Sequence, residues 1–162
     1  MKRFLSSPFG ITLAIIVAAA LAMAALTFLT RAPSLGDGKK VTVQVDKATV
    51  EATVAATEAS RRQGLAGTQP LGEKNGMLFI FSESNLHPFW MKGVTYPIDI
   101  IWIENDTVSE VLPNVPPAAA GVPDEALPKY QPAFPVSKVL EVASGWAARN
   151  GIQPGDPVRI SR

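Results

Sequence analysis

Residues 97–106 read PIDIIWIEND, and Asp99, the lone carboxylate within its apolar part, 97–103, decides how the chain must fold. Successive side chains of an extended strand point to opposite faces. Asp99, Ile101 and Ile103 therefore share one face, and Ile98, Ile100 and Trp102 share the other. Both faces are apolar, which marks a central strand covered on both sides. A carboxylate buried there is costly unless it is paired or hydrogen-bonded. Asp99 is thus a partnered structural residue, a residue at a strand end near water, or part of a site. Arg61, Arg62, Lys92 and Thr95 are the candidate partners. We expect an Arg61–Asp99 pair that ties a short helix to the central strand, because a guanidinium fork fits a carboxylate bidentately. The alternative is a polar cluster at a pocket mouth, with Asp99 as base or hydrogen-bond acceptor.

Working outward, KVTVQVD from Lys40 and ATVEATVAA from Ala48 alternate apolar and polar residues, as half-buried strands do. The short polar link at Asp46-Lys47 predicts an antiparallel hairpin. Thr57 can cap a short helix, EASRRQ, which Gly64 can end. GMLFIF, 76–81, is an apolar strand. PFWMK comes next, with Trp90 and Lys92 on one strand face. After PIDIIWI, END is a turn and TVSEVL its return strand; KVLEV is a further strand. SGWAARNG is a short helix closing at Gly151, and QPGDPVRI holds a turn and a last strand. The expected class is mostly β: a compact β-sandwich or barrel-like domain with two short helices, preceded by one N-terminal transmembrane helix. Residues 113–136 carry seven prolines. We expect this long loop to cover one edge or mouth of the domain, held by Tyr130 and Phe134.

Lys2 and Arg3 precede an uncharged, largely apolar run that lasts until Arg31. That exceeds the roughly 20 residues a helix needs to span a bilayer. Residues 1–31 are expected to be a membrane anchor, contacting lipid through 5–30. Residues 32–39 form a Gly/Pro linker, and 40–162 the β-rich domain. The folded domain is expected on the periplasmic or extracellular side of the cell membrane. The alternative is release to the periplasm after cleavage of a signal segment at Ala24 or Ala32.

Composition excludes whole classes of chemistry. The chain has no cysteine, hence no disulfide, thiolate zinc site, Fe–S cluster or thiol nucleophile. Net charge is +1, and no basic run tracks a phosphate backbone, so no nucleic-acid partner is expected. With one histidine and no recognisable spacing among Asp99, Asp106, Glu141 and Asp156, neither a metal nor another cofactor is expected. There is no Gly-x-Ser-x-Gly elbow and no Gly-rich phosphate loop.

An ordered set of short motifs resembles the domain-of-unknown-function 192 family. It runs Arg61-x-x-Gly64-Leu65, Gly76 to Phe81, Phe89-Trp90-Met91-Lys92, Pro97 to Ile100, Val139 to Val142 with Gly145, and Gly155-Asp156. The resemblance covers about residues 40–160. It implies a compact, mostly β domain, often exported or membrane-attached in bacteria, and no established activity, cofactor or catalytic residue. An Arg often found after the Gly-Leu pair is absent, with Ala66-Gly67-Thr68 in that region. Gly93-Val94 stands where Asn-Thr often follows Met-Lys. The Pro-rich loop is also longer than the pattern implies.

Two functional readings are open. The first is an anchored binding or accessory module for a small molecule, sugar or peptide, in which Trp90 beside Lys92 lines a groove. The second is a small hydrolase-like enzyme using Asp99 or Glu141 with His87. The candidate residues are Arg61, His87, Trp90, Lys92, Asp99 and Glu141.

Overall fold

The computed structural model describes Val17 and residues 35–162. The expected span over 5–30, Val17 apart, lies outside the described residues, as do its cleavage sites. Among the described residues no helix is long and apolar enough to cross a membrane. The chain divides into residues 1–34 and 35–162, and the second unit holds the β domain.

Among the described residues from 35 on, seven strands and two short α-helices occur in the order β1 (Lys40–Val45), β2 (Ala48–Ala55), α1 (Glu58–Gln63), β3 (Asn75–Asn85), β4 (Ile98–Glu104), β5 (Thr107–Val115), β6 (Val136–Ala143), α2 (Trp146–Arg149) and β7 (Val158–Ser161). The strands form one sheet in the order β5-β4-β6-β3-β2-β1-β7. Neighbours run antiparallel except β2 and β3, which are parallel and linked through α1. Among the described residues there is no second sheet, so the sandwich alternative does not hold. Instead the sheet curls into a half-barrel whose outer strands approach at one end. There Val108 N–H donates to Asp156 O at 2.9 Å, and Val158 N–H to Asp106 O at 2.8 Å. Strand twist accumulates across a sheet and brings its edges round.

The alternation read in the sequence sorts side chains onto two cores. Inside the curl lie Val41, Val43, Val45, Val50, Val54, Leu78, Ile101, Ile103, Leu140 and Val142, closed by Trp146 and Ala147 of α2. Outside it, Phe79, Ile98, Ile100, Trp102 and Val139 are covered by Leu65, Phe89, Met91, Val94 and Tyr96. β4 is buried along Ile98–Ile103, as a central strand should be.

Local chemistry fixes the ends. Val45 pairs with Ala48 across the Asp46-Lys47 link. Thr57 and Ser60 form a reciprocal capping box at α1, and the carboxylate of Asp37 accepts from Ala56 N–H at 2.7 Å and from Ser60 Oγ at 2.5 Å. Gly64 ends α1 at φ 49°, where a side chain would be strained. Gly76 answers a different need: a Cβ there would lie 2.9 Å from the Glu141 carbonyl oxygen, so β3 and β6 pack closely only with glycine at that point.

Three expectations change. Residues 88–92 are not a strand: Phe89 makes one isolated bridge to Tyr130, and Pro88, Gly93 at φ 69° and Pro97 keep the segment irregular. The return strand runs on to Val115, because β5 is an edge strand that tolerates Pro113. The covering segment after it is held by Leu127, Tyr130 and Pro132, all at least half-buried, whereas Phe134 is 69% exposed. The paired backbone amides and carbonyls of Phe89 and Tyr130, each bond 2.8 Å, do the work expected of Phe134.

Candidate functional site

Asp99 is fully buried, and it does not meet Arg61. Its Oδ1 accepts from Asn114 N–H at 2.9 Å and Gly145 N–H at 3.0 Å; its Oδ2 accepts from Ala147 N–H at 2.9 Å. The register explains the first bond. Ile98 pairs with Val115 and Ile100 with Leu112, so Asp99 alone faces both Pro113 and Asn114. That bulge puts Asn114 at φ 54° and frees its N–H from the ladder. Gly145 and Ala147 lie at the start of α2, where amides have no intrahelical acceptor. One carboxylate thus satisfies three amides inside the curl. The expected Arg61–Asp99 pair is corrected by geometry: α1 and the side chain of Asp99 lie on opposite faces of the sheet.

On the outer face the residues assemble differently. A pocket of about 480 Å3 opens between α1, β3, β6 and the irregular segment after β3. Its walls include Leu65, Phe79, Phe81, Phe89, Trp90 and Val94, and its polar lining includes Arg61, Arg62, Lys92 and Glu141. The rings pack edge to face: Phe79 and Phe89 have centroids 4.9 Å apart, and Phe89 and Trp102 5.3 Å. Trp102 sits behind this layer, wholly buried, its indole N–H without an acceptor among the described residues.

Glu141 is the unusual member. It pairs with Met77 on β3 and Ile100 on β4, and its side chain shares the outer face with Phe79 and Trp102. It is only 5% exposed. Among the described residues its carboxyl makes no hydrogen bond or ion pair. Burial alone pushes it up from 4.5 to about 8, so at neutral pH it is largely a protonated acid able to donate.

The rim cations are each engaged. Arg61 donates to Ile80 O at 2.9 Å and to Ala56 O, and its guanidinium lies 5.0 Å from the Phe81 ring centroid. Arg62 pairs with Glu58 at 2.7 Å, and Lys92 pairs with Asp124. Trp90 remains 41% exposed at the mouth. A second hollow of about 770 Å3, bounded by Ala59, Arg62, Gln63, Trp90 and Lys92, shares Arg62, Gln63, Trp90 and Lys92 with it along α1.

Of the six residues singled out in the sequence, Arg61, Trp90, Lys92 and Glu141 line this one pocket, and Asp99 does not. His87 stands behind the wall: its ring stacks on Phe81 at 3.5 Å, and Nε2 lies 3.1 Å from Glu83 O. Phe79, Phe89 and Leu65 were legible only as core, because nothing in an apolar strand distinguishes a wall from a filled interior. Among the described residues no group of three or more His, Asp or Glu side chains is placed to hold a metal ion.

The family model for DUF192, described as "Uncharacterized ACR", matches residues 41–160. A crystal structure of a candidate transcription regulator from Sinorhizobium meliloti 1021 superposes with a TM-score of 0.68 at 27% identity, over 77% of this chain and 96% of that one. A protein of unknown function from Novosphingobium aromaticivorans DSM 12444 superposes with a TM-score of 0.67 at 31% identity, over 79% of this chain and 89% of the other. No curated protein matches.

Proposed function

The chain belongs to the DUF192 family, and we propose that its domain is a binding module that takes a small organic molecule into the pocket between α1 and the outer face of β3 and β6. The observation that carries the reading is Glu141: a residue only 5% exposed whose carboxyl lines the pocket and has no hydrogen-bond or ion-pair partner among the described residues. A lone acid in a mostly apolar pocket is a group a ligand can engage. The volume falls in the range of small-molecule sites, and the walls are apolar with few polar atoms, as such sites require. The hydrolase-like alternative has less support. Asp99 has its oxygens engaged by backbone amides on the other face, and His87 lies outside the lining of the pocket. The regulator label of the Sinorhizobium protein finds no counterpart in the charge of this chain, +1 overall without a basic run.

Residues 1–31 are proposed to anchor this module to the cell membrane, with the domain outside the cytoplasm, on the strength of the uncharged run between Arg3 and Arg31. The anchor predicts that the full chain resists carbonate extraction from membranes; a mature chain beginning after Ala24 or Ala32 overturns it. The pocket reading is tested by thermal unfolding of the purified full chain against a diverse small-molecule collection. Compounds that raise the midpoint of the native chain, and do so less in Glu141→Gln, support it. A collection with no such compound, or shifts equal in both proteins, refutes it.

A further inference from the structure

The geometry points to a ligand that presents a cationic nitrogen, a primary or quaternary amine, to the carboxylate of Glu141. This assignment rests on the proposed binding pocket and names its ligand class. Ring faces are electron-rich and attract cations, most strongly when water is excluded. Phe79, Phe89 and Trp90 border the pocket, while Phe81 is already engaged by Arg61 and His87; the lining carboxyls are Glu141 and Glu58, and the charge of Glu58 is taken by Arg62. A ring-walled cavity with a single free acid is the chemistry that recognises an ammonium.

The other charged and titratable groups near Glu141 do not supply this charge in advance. From α1 come Glu58 and Arg62, which pair with each other, and Arg61, which is committed to two carbonyls and the face of Phe81. From the segment after β3 come Lys92, paired with Asp124, His87, stacked on Phe81, and Tyr96, whose hydroxyl meets Thr68 Oγ. Tyr130 stands in the covering segment, with its backbone on Phe89. The flanking positions on β3 and β4 are Met77, Phe79, Ile100 and Trp102, none of which titrates. Arg62 and Lys92 are thus paired with carboxylates, Arg61 keeps its charge but is fixed on two carbonyls and the Phe81 ring, and none of them meets the acid.

Binding is coupled to one proton. At neutral pH Glu141 is largely protonated, so an arriving ammonium ionises it: the carboxyl O–H breaks, its proton leaves to solvent, and an ammonium–carboxylate pair remains. Apparent affinity for a permanently charged amine therefore rises with pH up to about 8 and then levels.

Isothermal titration of the full chain with benzyltrimethylammonium, benzyl alcohol and benzoate tests this. The expected result is binding of the ammonium, gaining about tenfold in affinity from about pH 6 to pH 7 and about fivefold from about pH 7 to pH 8. At about pH 7 its heat should vary with buffer ionisation enthalpy as release of close to one proton requires. Glu141→Gln should lose both the tight binding and its pH dependence. A cooperative unfolding transition, or binding of benzyl alcohol, would show that the variant is folded. If benzyl alcohol or benzoate binds and the ammonium does not, or the ammonium binds without pH dependence, the cation assignment is overturned while the pocket reading stands. If none of the three binds, the cation assignment falls. The pocket reading falls with it only when the wider collection is silent as well.

Discussion

Glu141 should make the domain less stable as pH rises through neutrality, and removing its carboxyl should abolish that loss. Below its ordinary value of 4.5 the acid is neutral in both folded and unfolded chains, and its titration has no effect. Between 4.5 and about 8 the unfolded chain has released a proton that the folded chain still holds. The folded state then binds more protons, so unfolding free energy falls with rising pH. Above about 8 both states are ionised and the loss is complete. At about 1.4 kcal/mol per pH unit, it amounts to about 3 kcal/mol at pH 7 and about 4 kcal/mol at pH 8. The group is 5% exposed, so solvent screening discounts little of this. Urea unfolding of the full chain at about pH 5, 6, 7 and 8, against Glu141→Gln, measures it directly. The native midpoint should drop across the series while the variant's moves far less, with the urea dependence of each unchanged. Glu141→Leu, which also removes the buried polar group, should be the more stable variant at pH 8. Parallel curves for native and Gln variant would refute the reasoning, because they would mean that Glu141 titrates alike in both states.

Asp99→Asn keeps one acceptor oxygen for three amides and should destabilise by about 1–3 kcal/mol for each N–H left stranded. Combining it with Arg61→Met should give additive losses within about 0.5 kcal/mol, as for independent sites; a coupling well above that in denaturant unfolding would restore the ion pair. Gly76→Ala drives a Cβ to 2.9 Å from the Glu141 carbonyl, and should cost about 1–3 kcal/mol through displaced strands, read as a lower urea midpoint. The carboxyl of Asp37 is held down, from 3.8 to about 2, chiefly by the Ser60 hydroxyl and the Ala56 amide. Its stabilising effect is therefore present above about pH 4 and disappears as pH falls toward 2. The gap between native and Asp37→Asn in acid unfolding followed by circular dichroism should close over that window.

Local patterns in the sequence disclosed local structure and little beyond it. Alternation assigned Asp99, Ile101 and Ile103 to one face of β4 and Ile98, Ile100 and Trp102 to the other, because strand period is a local property. The capping of α1 by Thr57 and its end at Gly64 were legible for the same reason. The partner of Asp99 was not. Its donors are backbone amides of Asn114, Gly145 and Ala147, and side-chain identity says nothing of a free N–H created by a bulge or a helix start. The placement of β6 between β3 and β4 is a non-local pairing with no signature in any short window, and without it Glu141 could not be seen to join Arg61 and Trp90. The aromatic character of Phe134 predicts burial, but hydrophobicity alone does not fix a loop, and the anchor is the backbone bridge at Tyr130.

Asp99 and Glu141 offer a controlled comparison within one sheet. β4 and β6 are neighbours, Asp99 opposite Val142 and Ile100 opposite Glu141, so the two acids are one register step apart and face opposite ways. Inside the curl, the bulge at Pro113-Asn114 and the start of α2 leave amides without partners, and Asp99 consumes them. Outside it, the covering backbone is already bonded, as in the Phe89–Tyr130 bridge and the Met91–Val94 turn. What it turns toward Glu141 is ring and aliphatic surface. A carboxyl there contributes nothing to the fold that a leucine would not, and above neutral pH it costs several kcal/mol. Groups held against stability are a mark of sites, since activity and stability make competing demands on the same positions. The two variants therefore separate structure from function across a single sheet. Asp99→Asn should weaken folding without changing ligand affinity per folded molecule, whereas Glu141→Leu should strengthen folding at pH 8 and lose the amine. Measuring midpoint and affinity on both proteins decides it, and a Glu141→Leu protein that binds benzyltrimethylammonium as tightly as the native chain would return Glu141 to an unexplained feature of the core.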